Sequence, residues 1–133
     1  MPLCVLYVDG ASRGNPGDSA IGVSLQQPNG TEMETISEAI GYATNNEAEY
    51  RALLAGLELA KQRNFDEVEI RADSQLMVRQ LTGEYRVKDR KLRDMYDEVR
   101  DALEGFQRFS VHHVSREQNS RADELANEAL DRE

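Results

Sequence analysis

Cysteine occurs once in the sequence, at position 4, and tryptophan not at all. A single cysteine excludes an internal disulfide. Cys4 lies inside an apolar run, so it reads as core in a chain suited to a reducing, cytoplasmic setting. No apolar run approaches membrane-spanning length. The first residues lack the basic-then-apolar pattern of a secretory leader, so no membrane partner is expected. The two histidines, His112 and His113, are adjacent in a predicted strand. They would point to opposite faces of it and make a poor shared metal site. Lysine is scarce as well, with 3 against 13 arginines within the 16 basic residues.

What is present is acid. The formal net charge is −9, which taken alone argues against a nucleic-acid partner. Its distribution changes that reading. Residues 31–50 hold five acids and no base, and residues 94–133 hold eleven acids against five arginines. Basic residues cluster in one stretch only: Arg86, Lys88, Arg90, Lys91 and Arg93. That patch suits phosphate while the remaining surface repels it. It equally suits a solvated helix start that offsets an acidic helix. The length of 133 residues fits one domain over residues 1–133, large enough for a real core, and a monomer is expected.

The chain is organised around residues 3–17. Leu3 to Val8 is an almost unbroken apolar run, as expected of a central strand covered on both faces. It ends in Asp9, and Gly10 to Gly17 then reads as an open glycine-rich loop whose backbone can approach a ligand. An acid at the carboxyl end of a buried strand is a common metal or catalytic position in α/β sheets. It is also a common turn-former.

Further along, Ser19–Gln26 alternates, Pro28-Asn29-Gly30 signals a turn, and Thr31–Ile40 supplies a third strand, closed by Gly41. A helix is predicted from Asn45 to about Arg63, opened by a capping box of Thr44 and Glu47. Glu49 then stands at the head of a small-residue stripe, Ala52, Gly56 and Ala60. A first-turn acid there either serves the helix dipole or does something else. Asp66–Ala72 reads as a strand ending in Asp73, which repeats the layout of Asp9, or simply caps the short helix that follows to Leu81. A longer helix over about Lys88–Leu103, a strand over Phe109–Val114 and a last helix follow. Asp123 sits in the first turn of that last helix, where it also fits a capping box with Ser120. This order predicts an α/β fold: an antiparallel meander beside parallel crossovers, forming a mixed five-stranded sheet with helices on both faces.

Each acid has an innocent explanation alone, but their positions coincide. Asp9 and Asp73 end strands, and Glu49 and Asp123 open helices; in such a sheet these places face one edge. Four converging carboxylates repel one another unless cations lie between them. Oxygen ligands with room for water favour Mg²⁺ or Mn²⁺. A pair of such ions is a device for phosphodiester cleavage.

The sequence resembles type 1 ribonuclease H over essentially its whole length. The segments that carry the resemblance are Tyr7 to Gly17, Thr44 to Glu49, Ala72 to Leu76 and Asn119 to Ala126. The resemblance implies a three-layer ribonuclease H-like fold. It implies an endonuclease that cuts the RNA strand of an RNA–DNA hybrid, leaving 5′-phosphate and 3′-hydroxyl ends. Asp9, Glu49, Asp73 and Asp123 would be both catalytic and metal-binding. Asp9 would bridge two ions, Asp123 would serve the ion that activates water, and Glu49 and Asp73 the ion at the leaving oxygen. The resemblance further implies substrate contacts from Gly10, Ser12, Gly14 and Asn15 in the minor groove, where 2′-hydroxyls mark RNA. Asn45, Asn46 and Gln75 would contact sugars and base edges, and Thr44 the DNA-strand phosphate.

Two departures stand out. The segment Leu81 to Arg90 is too short for the basic, aromatic-bearing protrusion of some members, which leaves the clustered bases as its partial substitute and predicts weak, salt-sensitive binding. The loop before the last acid carries Arg116 where many members have a histidine, and arginine does not shuttle protons. This shorter form resembles archaeal and bacterial variants, some of which also act on double-stranded RNA. Two alternatives share the fold: a module that binds nucleic acid without cutting, and a junction resolvase or integrase. The first has no need of four clustered acids; the second is not expected to carry the Asn45-Asn46 pair or the glycine-rich loop.

Overall fold

The computed structural model describes residues 2–132. Strands β1 (Leu3–Gly14), β2 (Gly17–Gln26) and β3 (Glu32–Ala43) are followed by helix α1 (Asn45–Gln62) and strand β4 (Glu67–Ala72). Helices α2 (Gln75–Leu81) and α3 (Arg90–Glu104), strand β5 (Arg108–His113) and helix α4 (Ser120–Asp131) complete the order. The five strands form one sheet in the order β3-β2-β1-β4-β5. β1, β2 and β3 pair antiparallel; β4 pairs parallel to β1, and β5 parallel to β4. The mixed five-stranded sheet read from the sequence is therefore the one observed.

Why β1 is central follows from its covering. Leu6 and Val8 lie under α1, where an added Cβ on Gly56 would stand 3.3–3.4 Å from Leu6, Val8 and Val23. The small stripe thus lets α1 lie close on the sheet, with Ala52 and Ala60 wholly buried beside Gly56. The opposite face takes α4, and there the decisive residue is Gly22. A Cβ at Gly22 would meet the carbonyl oxygen of Ala122 at 2.0 Å and the nitrogen of Ala126 at 2.7 Å. Helix backbone rests directly on strand backbone at that point.

The glycine-rich segment differs from expectation. Gly10 to Gly14 is not an open loop but the continuation of β1, paired with β2 down to Gly14 opposite Gly17. Only Asn15 and Pro16 turn the chain. The glycines serve close packing: a Cβ on Gly10 would lie 2.3 Å from the Ala48 carbonyl carbon in α1. β3 likewise runs past Gly41, with a bulge where Ser19 pairs with Gly41 and Ala20 with Ala39. Gly41 takes φ 81°, which a glycine accepts readily.

Helix starts follow their capping chemistry. Thr44 and Glu47 form the expected capping box on α1, and Ser74 caps α2. α3 begins two residues later than expected, because the Asp89 side chain accepts from the Lys91 and Leu92 amides and sets the start at Arg90. The capping box of Ser120 with Asp123 does not form; the residue before α4 is Asn119, which makes no side-chain cap. Among the described residues no helix is long and apolar enough to cross a membrane.

Candidate active site at the carboxyl edge of the sheet

Asp9 lies on β1 just beyond the last residue paired with β4, at the edge where β4 itself ends. Glu49 comes from the first turns of α1, Asp73 from the link between β4 and α2, and Asp123 from the first turn of α4. Oxygen atoms of Asp9, Glu49 and Asp73 lie within 4.8 Å of one another. Asp9 and Glu49 are 6% and 8% exposed, which is unusual for acids with no basic partner in direct contact. Asp123 lies outside that close trio but lines the same cleft, together with Gly10, Ser12, Asn45, Asn46, Ser74, Arg116 and Asn127.

Neighbouring bonds hold these acids in place. The Gly10 N–H donates to Glu49 Oε1. Tyr50, next to Glu49, is buried and donates its hydroxyl to Gln80 of α2 at 2.6 Å. Asn127, one turn beyond Asp123, donates to both the backbone carbonyl (2.9 Å) and the carboxylate (3.1 Å) of Asp123.

The electrostatics are those of acids forced together. Burial, above all, pushes the Asp9 carboxyl far above the carboxylate range; the charges of Glu49 and Asp73 and hydrogen bonds with Glu49 and Asp123 add to the rise. Glu49 is raised too, again chiefly by burial. The Gly10 amide and the Arg116 charge work against that rise. Such a cluster of buried carboxylates, all hard oxygen donors, fits a hard divalent cation.

The remaining candidates divide. Gly10, Ser12, Asn45 and Asn46 line the carboxylate cleft. Asn15 and Thr44 line a neighbouring cleft of about 390 Å³ that shares Asn46 and adds Tyr42, Glu47, Asp89 and Lys91. Gly14, at the hairpin end with φ 111°, and Gln75, exposed at the start of α2, line neither. Several of these groups are already engaged. Ser12 bonds to Ser19 (2.9 Å) and to the Ala43 carbonyl (3.2 Å). Asn15 Oδ1 accepts from the Asn45 N–H at 3.1 Å, tying the hairpin to the start of α1. Sequence reasoning passed over Asn127, although its place four residues after Asp123 on one helix was a usable signal.

Comparisons with known proteins agree with this arrangement. The family described as reverse transcriptase-like matches residues 7–129. A ribonuclease HI from Halobacterium salinarum is 50% identical over 125 residues, covering 94% of this chain and 63% of that protein. A bifunctional protein of Mycobacterium tuberculosis is 40% identical over 96% of this chain and 35% of its own length. The chain therefore spans less than two thirds of these curated relatives. Among solved structures, RNase H1 of Halobacterium salinarum superposes with a TM-score of 0.96 at 48% identity, over 98% of this chain and 99% of that one. LC11-RNase H1 in complex with an RNA/DNA hybrid gives 0.92 at 39% identity, over 97% of both chains.

Proposed function

We propose that this chain, which belongs to the ribonuclease H family, hydrolyses the RNA strand of RNA–DNA hybrids at the carboxylate cleft, leaving 5′-phosphate and 3′-hydroxyl ends. The observation that carries the reading is the meeting of Asp9, Glu49 and Asp73 within 4.8 Å. Such crowding of acids costs stability and has no structural return. The solved relative in complex with an RNA/DNA hybrid supports the choice of substrate.

Asp9, Glu49, Asp73 and Asp123 would hold two divalent cations, Mg²⁺ or Mn²⁺. The chemistry these supply is activation of a water and neutralisation of charge on the leaving oxygen. The chain's own residues do the rest. Asp9, which interacts with Glu49, Asp73 and Asp123 alike, would be the shared ligand. Glu49 is fixed by the Gly10 amide, and Asp123 is oriented by Asn127. Ser12, Asn45 and Asn46, which line the cleft, bind the minor groove and its 2′-hydroxyls. Gly10 acts through backbone alone; Asn15, in the neighbouring cleft, and Gly14 and Gln75, outside both clefts, would make the remaining contacts.

A second substrate, double-stranded RNA, is favoured by the neighbouring cleft. There Thr44 would meet the DNA-strand phosphate, yet Glu47 and Asp89 face a single cation, Lys91, whose ammonium is bound to Glu47 at 3.0 Å. A cleft so charged grips a DNA strand weakly and discriminates little in its favour. Cleavage of a hybrid labelled on each strand in turn, with double-stranded RNA alongside, tests both readings. Cutting of the RNA strand only, with 3′-hydroxyl ends, is the expected result; cutting of the DNA strand would refute the assignment.

A further inference from the structure

Among the described residues, one buried side-chain N or O atom lacks a partner: Oδ1 of Asn119. Asn119 is 0% exposed and precedes α4 as its cap residue. Its backbone, at φ −102° and ψ 18°, is not the extended form that lets a cap side chain fold back on its helix, and no capping bond is made. Its amide nitrogen instead donates to the Val8 carbonyl at 2.9 Å. Its N–H is shared between the Ser115 and Arg116 carbonyls, each at 3.1 Å, and its own carbonyl accepts from the Asp123 N–H at 3.1 Å.

One buried residue is thus bonded to the neighbour of Asp9, to Arg116 and to Asp123. For stability alone asparagine is a poor choice here. Its side chain caps nothing, and its Oδ1 is left buried without a partner. The contact with Val8 also runs across the sheet edge, between the strand that carries Asp9 and the helix that carries Asp123. Gly22 brings α4 down onto β2, and the Ser37 hydroxyl ties the middle of α4 to β3 by donating to the Leu125 carbonyl at 2.6 Å; the Asn119 amide is the bond that holds its site end to β1.

We propose that Asn119 is a positioning residue: its amide clamps the start of α4 to the end of β1 and so sets Asp123 at its working separation from Asp9. The catalytic arm of the test rests on the proposed function; the clamp itself does not.

Asn119→Leu keeps the volume and removes the amide. Asn119→Ser keeps a small polar side chain but is too short to reach Val8. Each is compared with the parent and with Asp123→Asn by three readings: melting temperature without metal, its rise on adding Mn²⁺, and kcat and KM on a hybrid duplex well below the melting temperature. The clamp predicts KM within about threefold of the parent and kcat lowered about 10–100-fold, the range for residues that orient metal ligands. It also predicts a Mn²⁺-induced rise reduced to that of Asp123→Asn. A kcat and a Mn²⁺ response both within twofold of the parent, whatever the metal-free stability, would overturn it. Should Asn119→Leu fail to fold, Asn119→Ser decides. If the parent cuts no hybrid but the Mn²⁺ response is still lost in the variants, the clamp stands and the proposed substrate falls.

Discussion

The Gly10 N–H donates to Oε1 of Glu49, a residue 39 positions away in the chain. This bond joins the strand of Asp9 to the helix of Glu49 and holds two buried acids side by side. It requires the strand to reach α1 with no side chain between, which is why position 10 is glycine. The site is built by such close approaches.

The first prediction concerns pH. Asp9 and Glu49 are both raised in the folded protein, mainly by burial. The unfolded chain releases those protons near pH 4, whereas the folded one keeps them to higher pH. Where the native state holds more protons, stability falls as pH rises. The metal-free melting temperature should therefore decline from about pH 5 to 8 through these two groups. Asp9→Asn should flatten the decline and gain on the order of 1 kcal/mol at pH 8. Mn²⁺ should offset the decline in the parent and not in the variant. Thermal melts across pH, with and without metal, check all three.

The second concerns Gly22. A Cβ there would lie 2.0 Å from the Ala122 carbonyl oxygen, a backbone atom that cannot swing aside. Gly22→Ala should cost about 3 kcal/mol or more by forcing α4 off the sheet. Because α4 carries Asp123, activity should fall in the fraction that stays folded. Denaturant unfolding with an assay on the folded protein measures both effects.

Glu47 gives the opposite pH sign. The Thr44 amide and hydroxyl, together with Lys91, hold its carboxyl below the ordinary range. Its contribution is present above the unfolded value and is lost as pH falls through the depressed one. Glu47→Ala should cost about 1–2 kcal/mol at neutral pH through the lost capping box. Glu47→Gln, which keeps the box, should cost less. Urea titrations at pH 7 and pH 3 separate the two variants.

These predictions lean on features the sequence exposed unevenly. The four acids were legible because strand ends and helix starts can be read from apolar periodicity and capping boxes, as at Leu3–Val8 and Thr44–Glu47. The mixed sheet, antiparallel first and parallel later, followed from short links first and helical crossovers later, whereas the order β3-β2-β1-β4-β5 comes from the structure. The hairpin of Gly10 to Gly17 was not legible. Glycine lowers strand propensity in any local reading, while its benefit here is contact with Ala48, far away in sequence. Gly22 was hidden for the same reason. Asn119 was hidden because its partner, Val8, lies 111 residues away. The Ser120–Asp123 spacing imitated a cap that the backbone at Asn119 does not support.

A fourth prediction addresses binding. Arg86, Lys88, Arg90, Lys91 and Arg93 are all exposed, the first two in the link between α2 and α3 and the other three at the start of α3. Hybrid affinity should fall steeply with salt, and the double-logarithmic slope should lessen by about 0.7–0.9 for each phosphate contact removed. Arg86→Gln with Lys88→Gln should flatten the slope without altering kcat. Anisotropy titrations from low to moderate salt provide the measurement.

The most direct test of the account is cleavage of an RNA–DNA hybrid with Mg²⁺ or Mn²⁺ by the parent and by Asp9→Asn. The expected result is cutting of the RNA strand by the parent, loss of cutting on chelation, and none above background in the variant, which still binds the hybrid. Cleavage by Asp9→Asn at the parental rate, or metal-independent cleavage by the parent, would contradict it.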